Sequence, residues 1–339
     1  TGHPKGCVIP HQNHIYNIQA INDIFQFTDR DSVVSYLPLC HILERGVSIS
    51  IPLVIGYTVN FAESIDTVQQ NIQEISPTFF AAVPSILEKL YSTIQIKIED
   101  TTRFKRFMYH FWKPVGERVA QYRMAKEKIP LLWTFLYGLG YLWSFRSLRE
   151  KLGLLNCKML MSGGAPIAPE ILTFYHSLGV YAIEMWALTE SCGGGTGPHY
   201  EVKAGAVGEP IRSVKLRLAD DGEILIHSDS VFAGYYRDPE ATREILRDGW
   251  LHTGDIGGEF FDRFRLMQFV RIVERQIESA PAYRSGDINK MWPGRERAVL
   301  LTRRSDRRTQ QALADGLPVS LAKIVKADLR GRNFCERSL

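Results

Sequence analysis

Between residues 33 and 190 the chain alternates short apolar runs with stretches of helical spacing. Val33–Leu37 reads as a buried strand stopped by Pro38, and Tyr57–Phe61 and Thr78–Val83 read as two more. Val47–Ile55 is helical or strand-like, Ser64–Ile75 and Ser85–Ile98 have helical spacing, and Pro84 stands where a helix accepts proline, in its first turn. Cys157–Met161, a helix from Pro169 to Leu178 and a strand from Val180 repeat the pattern. Such alternation predicts a largely parallel sheet with helices on both faces. Ligands of such sheets bind past the carboxyl ends of the strands.

Two of these ends carry chemistry. Ser162-Gly163-Gly164-Ala165-Pro166 follows one strand, and its small residues let a flat ligand approach the backbone. Glu184-Met185-Trp186-Ala187-Leu188-Thr189-Glu190-Ser191 follows the next, as a strand-end loop, and Gly193–Gly195 closes it. The Thr189 hydroxyl can donate to a phosphate oxygen, and the Glu190 carboxylate can hold a Mg²⁺ that bridges phosphates. An ordinary polar loop is the plainer reading of the octet alone. At the start, Thr1-Gly2-His3-Pro4-Lys5-Gly6 offers backbone N–H groups and one ammonium to phosphate, or is a surface turn. His41 lies just past a strand end, where a histidine either faces a ligand or is structural.

From Val214 the texture changes to short strands, with Asp220-Asp221-Gly222 as a hairpin signal between Val214–Leu218 and Glu223–His227. Val231–Tyr236 reads as a strand and Pro239–Leu246 as a short helix; Asp248-Gly249 then turns into Trp250–Asp255, whose aspartate can accept two ribose hydroxyls. The formal net charge of +4 is too small to point to nucleic acid. Five scattered cysteines without a C-x-x-C pair argue against a zinc or disulfide framework and for a reducing, cytoplasmic compartment. Thr101–Lys128 is basic and aromatic and reads as a helix broken near Pro114. Ile129–Phe145 carries no charge over 17 residues but is interrupted by Pro130, Gly138 and Gly140. It is too short and broken for a comfortable span, and reads as a buried helix or as an aromatic surface, Trp133–Phe145, touching the inner face of a membrane.

Taken in order, Thr-Gly-X-Pro-Lys-Gly, Ser-Gly-Gly-Ala-Pro, Leu-Thr-Glu, Gly222-Glu-Ile through Gly234-Tyr-Tyr, and Trp250-Leu-His-Thr-Gly-Asp255 resemble the adenylate-forming (AMP-binding) superfamily. Leu37–Arg45, Pro84–Lys89 and the insert ending at Phe145–Glu150 look like long-chain fatty acid–CoA ligases. The resemblance covers residues 1 to about 257. It implies part of a large N-terminal α/β domain over 1–203, a small β-rich subdomain over 204–257, and a separate tail over 258–339. It also implies a reaction in which a fatty acid and ATP form an acyl-adenylate, and CoA, as second substrate, displaces AMP. By motif, Lys5 would neutralise phosphates, Thr1, Gly2 and Gly6 would frame them, and Thr189 and Glu190 would bind phosphate and Mg²⁺. Gly164, Ala165 and Pro166 would line the adenine, Trp186 would stack on it where the family has Tyr, Asp255 and Arg275 would hold the ribose, and His41 would sit near the acyl carboxylate. Leu87 stands where some relatives carry a gating aromatic.

The first half of the phosphate loop is not present before Thr1, and the match stops after Gly257. Arg271–Arg275 resembles a hinge, but Gln276-Ile277-Glu278 replaces its basic pair. Residues 258–339 hold 14 Arg and 3 Lys, without strand–helix alternation, and read as a frame-shifted stretch or a divergent lid. The expectation is a truncated, inactive member. The rival readings are another acid-activating adenylation enzyme, or a non-catalytic product that associates with membranes.

Overall fold

The computed structural model describes residues 4–197, 202, 206–262 and 265–270. Thr1, Gly2, Arg275 and most of the Arg-rich tail lie outside the described residues. In chain order the elements are β1 (Cys7–Val8), α1 (His11–Phe25), β2 (Ser32–Ser35), α2 (Ile42–Arg45), a π-turn (Gly46–Ser50), α3 (Ile51–Ile55), β3 (Thr58–Phe61), α4 (Val68–Ile75), β4 (Phe79–Ala82) and α5 (Pro84–Glu99). Then come α6 (Arg103–Met124), α7 (Leu131–Gly140), a second π-turn (Tyr141–Phe145), α8 (Arg146–Leu152), β5 (Met159–Gly163), α9 (Pro169–Ser177) and β6 (Tyr181–Ala187). The rest is β7 (Gly195–Gly197), β8 (Glu209–Pro210), β9 (Lys215–Leu218), β10 (Glu223–His227), β11 (Gly234–Tyr235), α10 (Pro239–Ile245), β12 (Leu246–Arg247), β13 (Trp250–Asp262) and β14 (Arg265–Val270).

The main sheet runs β4-β5-β6-β7-β8. β4, β5 and β6 are parallel; β7 and β8 are antiparallel additions. β2 and β3 form a separate parallel pair. Both faces of the parallel strands are buried, and the period of two sorts their side chains cleanly. Phe80, Ala82, Leu160 and Ala182 join an apolar cluster with Leu87, Leu172 and Leu178, while Phe79, Ala81, Met161 and Ile183 join a second one with Ile18, Ile226 and Leu251. The second cluster therefore continues under the β9–β10–β13 sheet. The predicted hairpin at Asp220–Gly222 is present, with β9 and β10 antiparallel and Gly222 at φ +82.

Three local expectations change. Pro114 does not break α6, which runs unbroken from Arg103 to Met124. Its buried Trp112, Gly116 and Val119 are held by packing, and a Cβ at Gly116 would meet the Phe145 ring at 2.8 Å. Of Val231–Tyr236 only Gly234–Tyr235 is strand, and it pairs with Cys7–Val8. The first four residues of the Glu184–Ser191 octet are sheet, because β6 extends to Ala187; the loop begins at Leu188.

Ile129–Phe145 is neither wholly buried nor wholly exposed. Tyr137 and Phe145 are core residues and Trp133 packs against the same apolar cluster, whereas Leu131 is 88% exposed and Leu132, Phe135, Leu142 and Trp143 also face solvent. Among the described residues no helix is long and apolar enough to cross a membrane.

Candidate active site

The site lies at the carboxyl ends of β5 and β6. β5 ends at Gly163, in register with Met185. A Cβ on Gly163 would come 3.3 Å from the Met185 carbonyl, and Gly164 then turns with φ +86 into open space. Glycine is favoured there because the left-handed backbone strains any side chain. Gly164 and Pro166 are exposed and Ala165 half-buried, so this turn offers a flat, small-residue surface beside the end of β6.

The next loop is held from within. Ser191 Oγ accepts the Leu188 N–H at 3.2 Å and bonds the Gly194 carbonyl, while Cys192 N–H donates to the Thr189 carbonyl at 2.9 Å. Gly195 pairs so closely with β6 that a Cβ would fall 1.9 Å from the Trp186 carbonyl. These constraints present Thr189 and Glu190 half-buried at the rim.

Glu190 is reached twice from the distant Val231–Tyr236 segment. Tyr235 Oη donates to its Oε1 at 2.6 Å, and Phe232 N–H donates to its carbonyl at 2.8 Å. β11 in turn pairs with β1, placing Cys7 opposite Tyr235, and Tyr236 N–H donates to the Gly6 carbonyl at 2.7 Å. Exposed Lys5 consequently lies with its Nζ 5.0 Å from the Tyr235 ring centre, within cation–π range. Burial pushes the Cys7 thiol up to about 11, and the charge of Glu190 adds to the effect. Tyr235 thus brings Lys5 and Glu190 to one place. Its motif is visible in the sequence as Gly234-Tyr235-Tyr236, but nothing local to it names Glu190 as its partner.

Trp186 and Asp255, expected to touch adenine and ribose separately, are bonded to each other. The indole N–H donates to Asp255 Oδ2 at 3.0 Å, and the ring is 3% exposed. Asp255 lies within β13 rather than after a strand; its N–H donates to Thr253 Oγ1 at 3.1 Å, and that hydroxyl donates to the Ile224 carbonyl at 2.7 Å. The bulky indole fills this corner and holds the carboxylate.

His41 is exposed and caps α2, its Nδ1 accepting the Leu43 N–H at 3.3 Å. Buried Glu44 braces the same turn through the Leu37 N–H at 3.0 Å and the Ser48 hydroxyl. The Ile42 side chain lies 3.8 Å from where Gly193 would carry a Cβ, so the His41 turn borders the Leu188–Gly194 loop. His14 Nδ1 reinforces that border, 3.1 Å from Ser50 Oγ and 3.4 Å from Cys192 Sγ. Leu87 is fully buried on the other side of the sheet, with its carbonyl accepting Tyr175 Oη at 3.0 Å.

Among the described residues no group of three or more metal-ligating side chains assembles. A lone carboxylate at Glu190 suits Mg²⁺, which takes one or two protein carboxylates and the rest of its ligands from phosphates and water.

Residues 1–236 match the AMP-binding enzyme family. The chain is 34% identical over 312 residues to long-chain-fatty-acid–CoA ligase 5 of Rattus norvegicus, covering 82% of this chain and 43% of the relative. It is 30% identical over 272 residues to the long-chain-fatty-acid–CoA ligase FadD15 of Mycobacterium bovis, covering 78% and 44%. It therefore spans less than half the length of these relatives. Its fold is similar to the N-terminal domain of FACL13 from Mycobacterium tuberculosis, with a TM-score of 0.55 at 24% identity over 80% of this chain and 58% of that one. An O-succinylbenzoate coenzyme A synthetase from Bacillus subtilis in complex with AMP superposes with a TM-score of 0.54 at 21% identity, covering 80% and 47%. A matched stretch of this extent, on the fold of an acyl-CoA synthetase N-terminal domain, settles the family: the chain belongs to the AMP-binding enzymes.

Proposed function

We propose that this chain carries the nucleotide-facing part of a long-chain fatty acid–CoA ligase. The observation that carries the reading is the convergence of Lys5 and Glu190 on Tyr235, with the open Gly164–Pro166 turn following β5, the strand paired with the one that leads to Glu190. In the first step a fatty carboxylate oxygen attacks the α-phosphorus of ATP, and the bond to pyrophosphate breaks. In the second the CoA sulfur attacks the acyl carbonyl and AMP leaves.

Charge gathers on phosphate oxygens in the first step, so fixed donors and cations aimed at them dominate. In this reading Lys5 and the Thr189 hydroxyl meet the phosphates, and Asp255 accepts from the ribose. The Gly164–Pro166 backbone lies along the adenine, and His41 borders the acyl carboxylate. Glu190 would hold Mg²⁺, which neutralises phosphate charge when bound.

Calorimetry of this chain with ATP and Mg²⁺, and with long-chain acyl and aminoacyl sulfamoyl-adenosines, tests the assignment. Saturable binding of ATP and of the long-chain mimic, weakened in Lys5→Ala and Glu190→Gln, is expected. Tighter binding of the aminoacyl mimic would replace it with an amino-acid adenylation role, and no nucleotide binding would end it.

A second reading concerns the membrane. Phe104, Phe107 and Phe111 on α6 are exposed, as are Leu131, Leu132, Phe135, Leu142 and Trp143 on the packed partner helix and its π-turn. Residues 101–151 also hold 11 Lys and Arg against 3 Asp and Glu. Exposed apolar side chains in a cation-rich segment suit the interface of an anionic bilayer, where a fatty acid is already dissolved. Sedimentation with phosphatidylglycerol vesicles but not with phosphatidylcholine vesicles is expected; indifference to lipid charge and loss of neither on Phe111→Ser/Trp143→Ser substitution would discard it.

A further inference from the structure

The site leaves one buried acid without a task. Glu184 lies in β6 with 6% exposure, six residues before Glu190. Its Oε1 accepts the backbone N–H of Ile167 at 3.3 Å, while Oε2 has no hydrogen-bond partner. Ser162, its in-register neighbour on β5, is 0% exposed and its hydroxyl is likewise unpartnered. Burial pushes the Glu184 carboxyl up to about 7, opposed only by the Ile167 N–H; no charged side chain of the described residues bears on it.

A carboxylate buried without a cation is costly, and an unpaired buried polar oxygen is also unfavourable. A leucine at 184 would avoid both penalties. What the carboxyl does there is tie down the turn that follows β5. Outside the strand ladder, the Ile167 bond is the one hydrogen bond that reaches residues 164–167 among the described residues. This is the turn whose Gly164 sits at φ +86 with open space over it.

We propose that Glu184 is a positioning residue for the nucleotide turn: as a neutral carboxylic acid it anchors the Ile167 amide and so sets the height of Gly164–Pro166 above the sheet. Ionisation places an unpaired charge beside Ser162 and loosens the anchor as water is drawn in. The consequence for ligands rests on the adenine reading of the turn; the anchor itself does not.

Glutamine mimics the neutral acid, its carbonyl taking the Ile167 N–H and its amide replacing the protonated oxygen. The test follows adenosine affinity, with a ligand that keeps its charge, and Ile167 amide exchange corrected for intrinsic rate. Both are measured on either side of the carboxyl's midpoint of about 7. In the parent chain affinity is expected to fall roughly tenfold with rising pH, and Ile167 protection with it. Glu184→Gln is expected to hold both at their low-pH values throughout, and Glu184→Leu to lose Ile167 protection at every pH. If Glu184→Gln keeps the parent's pH slope, or Glu184→Leu keeps Ile167 protected, the proposal is overturned. Should Glu184→Leu not fold, the glutamine comparison decides alone. If adenosine never binds while Ile167 protection follows the stated pattern, the nucleotide reading falls and the anchor stands.

Discussion

The Leu188–Gly194 loop and the α6–α7 hairpin treat their side chains in opposite ways. In the loop, Ser191 and the Thr189 carbonyl bond within it, Cys192 bonds Asn17 of α1, and Glu190 bonds Tyr235. The hairpin is well packed on its inner face, with Gly116 against Phe145 and Gly140 against Trp112, but its outer face turns eight large apolar side chains to solvent. A loop that must offer a few polar groups in fixed positions is over-determined by bonds to several segments. A surface that meets a fluid partner needs area rather than fixed geometry. On the proposed readings, rigid tethering and exposed apolar area would serve two kinds of recognition in one chain.

The contrast can be broken most severely at Gly195. A Cβ 1.9 Å from the Trp186 carbonyl has no rotamer by which to escape. Gly195→Ala is expected to cost more than about 4 kcal/mol in urea unfolding, a loss reserved for backbone strain or core disruption; a loss near zero would mean that the loop yields. Next is Glu184. Its carboxyl is raised from 4.5 to about 7 in the fold, so the native state binds more protons than the unfolded chain between those values. Its stabilising contribution is therefore complete below the lower value and lost as pH rises to the upper one, a change of at most about 3 kcal/mol. Glu184→Gln should equal the parent at acid pH and exceed it above neutrality, read as a melting-temperature difference that grows with pH.

Lys5→Ala tests whether the β1–β11 pairing serves phosphate binding. Pyrophosphate exchange in the parent protein, if it proceeds by the proposed route, is expected to drop about a hundredfold with no change in melting temperature. Trp186→Phe removes the indole N–H from Asp255 and should destabilise by about 2 kcal/mol, with a larger loss for AMP than for 3′-deoxy-AMP if Asp255 holds the ribose. Smallest of all, Phe111→Ser and Trp143→Ser are expected to alter stability by less than about 0.5 kcal/mol and to abolish vesicle binding. A large stability loss there would move the hairpin's outer face into the core and erase the distinction between the two regions.

Much of this arrangement is local and readable from the chain. Short apolar runs and helical spacing placed β2, β4, β5 and β6 and their helices within a few residues. Pro84 and Pro169 marked helix starts, Asp220–Gly222 marked a hairpin, and the glycines of 163–164 and 193–195 marked the strand ends where small residues are needed. These signals are legible because each depends on dihedral preferences and side-chain periodicity within a few neighbours. The pairings that build the candidate site are not of that kind. Glu190 meets Tyr235 across 45 residues, Trp186 meets Asp255 across 69, and Cys7 lies opposite Tyr235 from the far end of the matched stretch. Whether Trp143 faces solvent or core, and whether Glu184 has a charge beside it, likewise depended on which elements packed around them. Composition and spacing specify what each segment can become; burial and partner choice arise only when distant segments share one core, because desolvation and hydrogen-bond geometry act across space rather than along the chain.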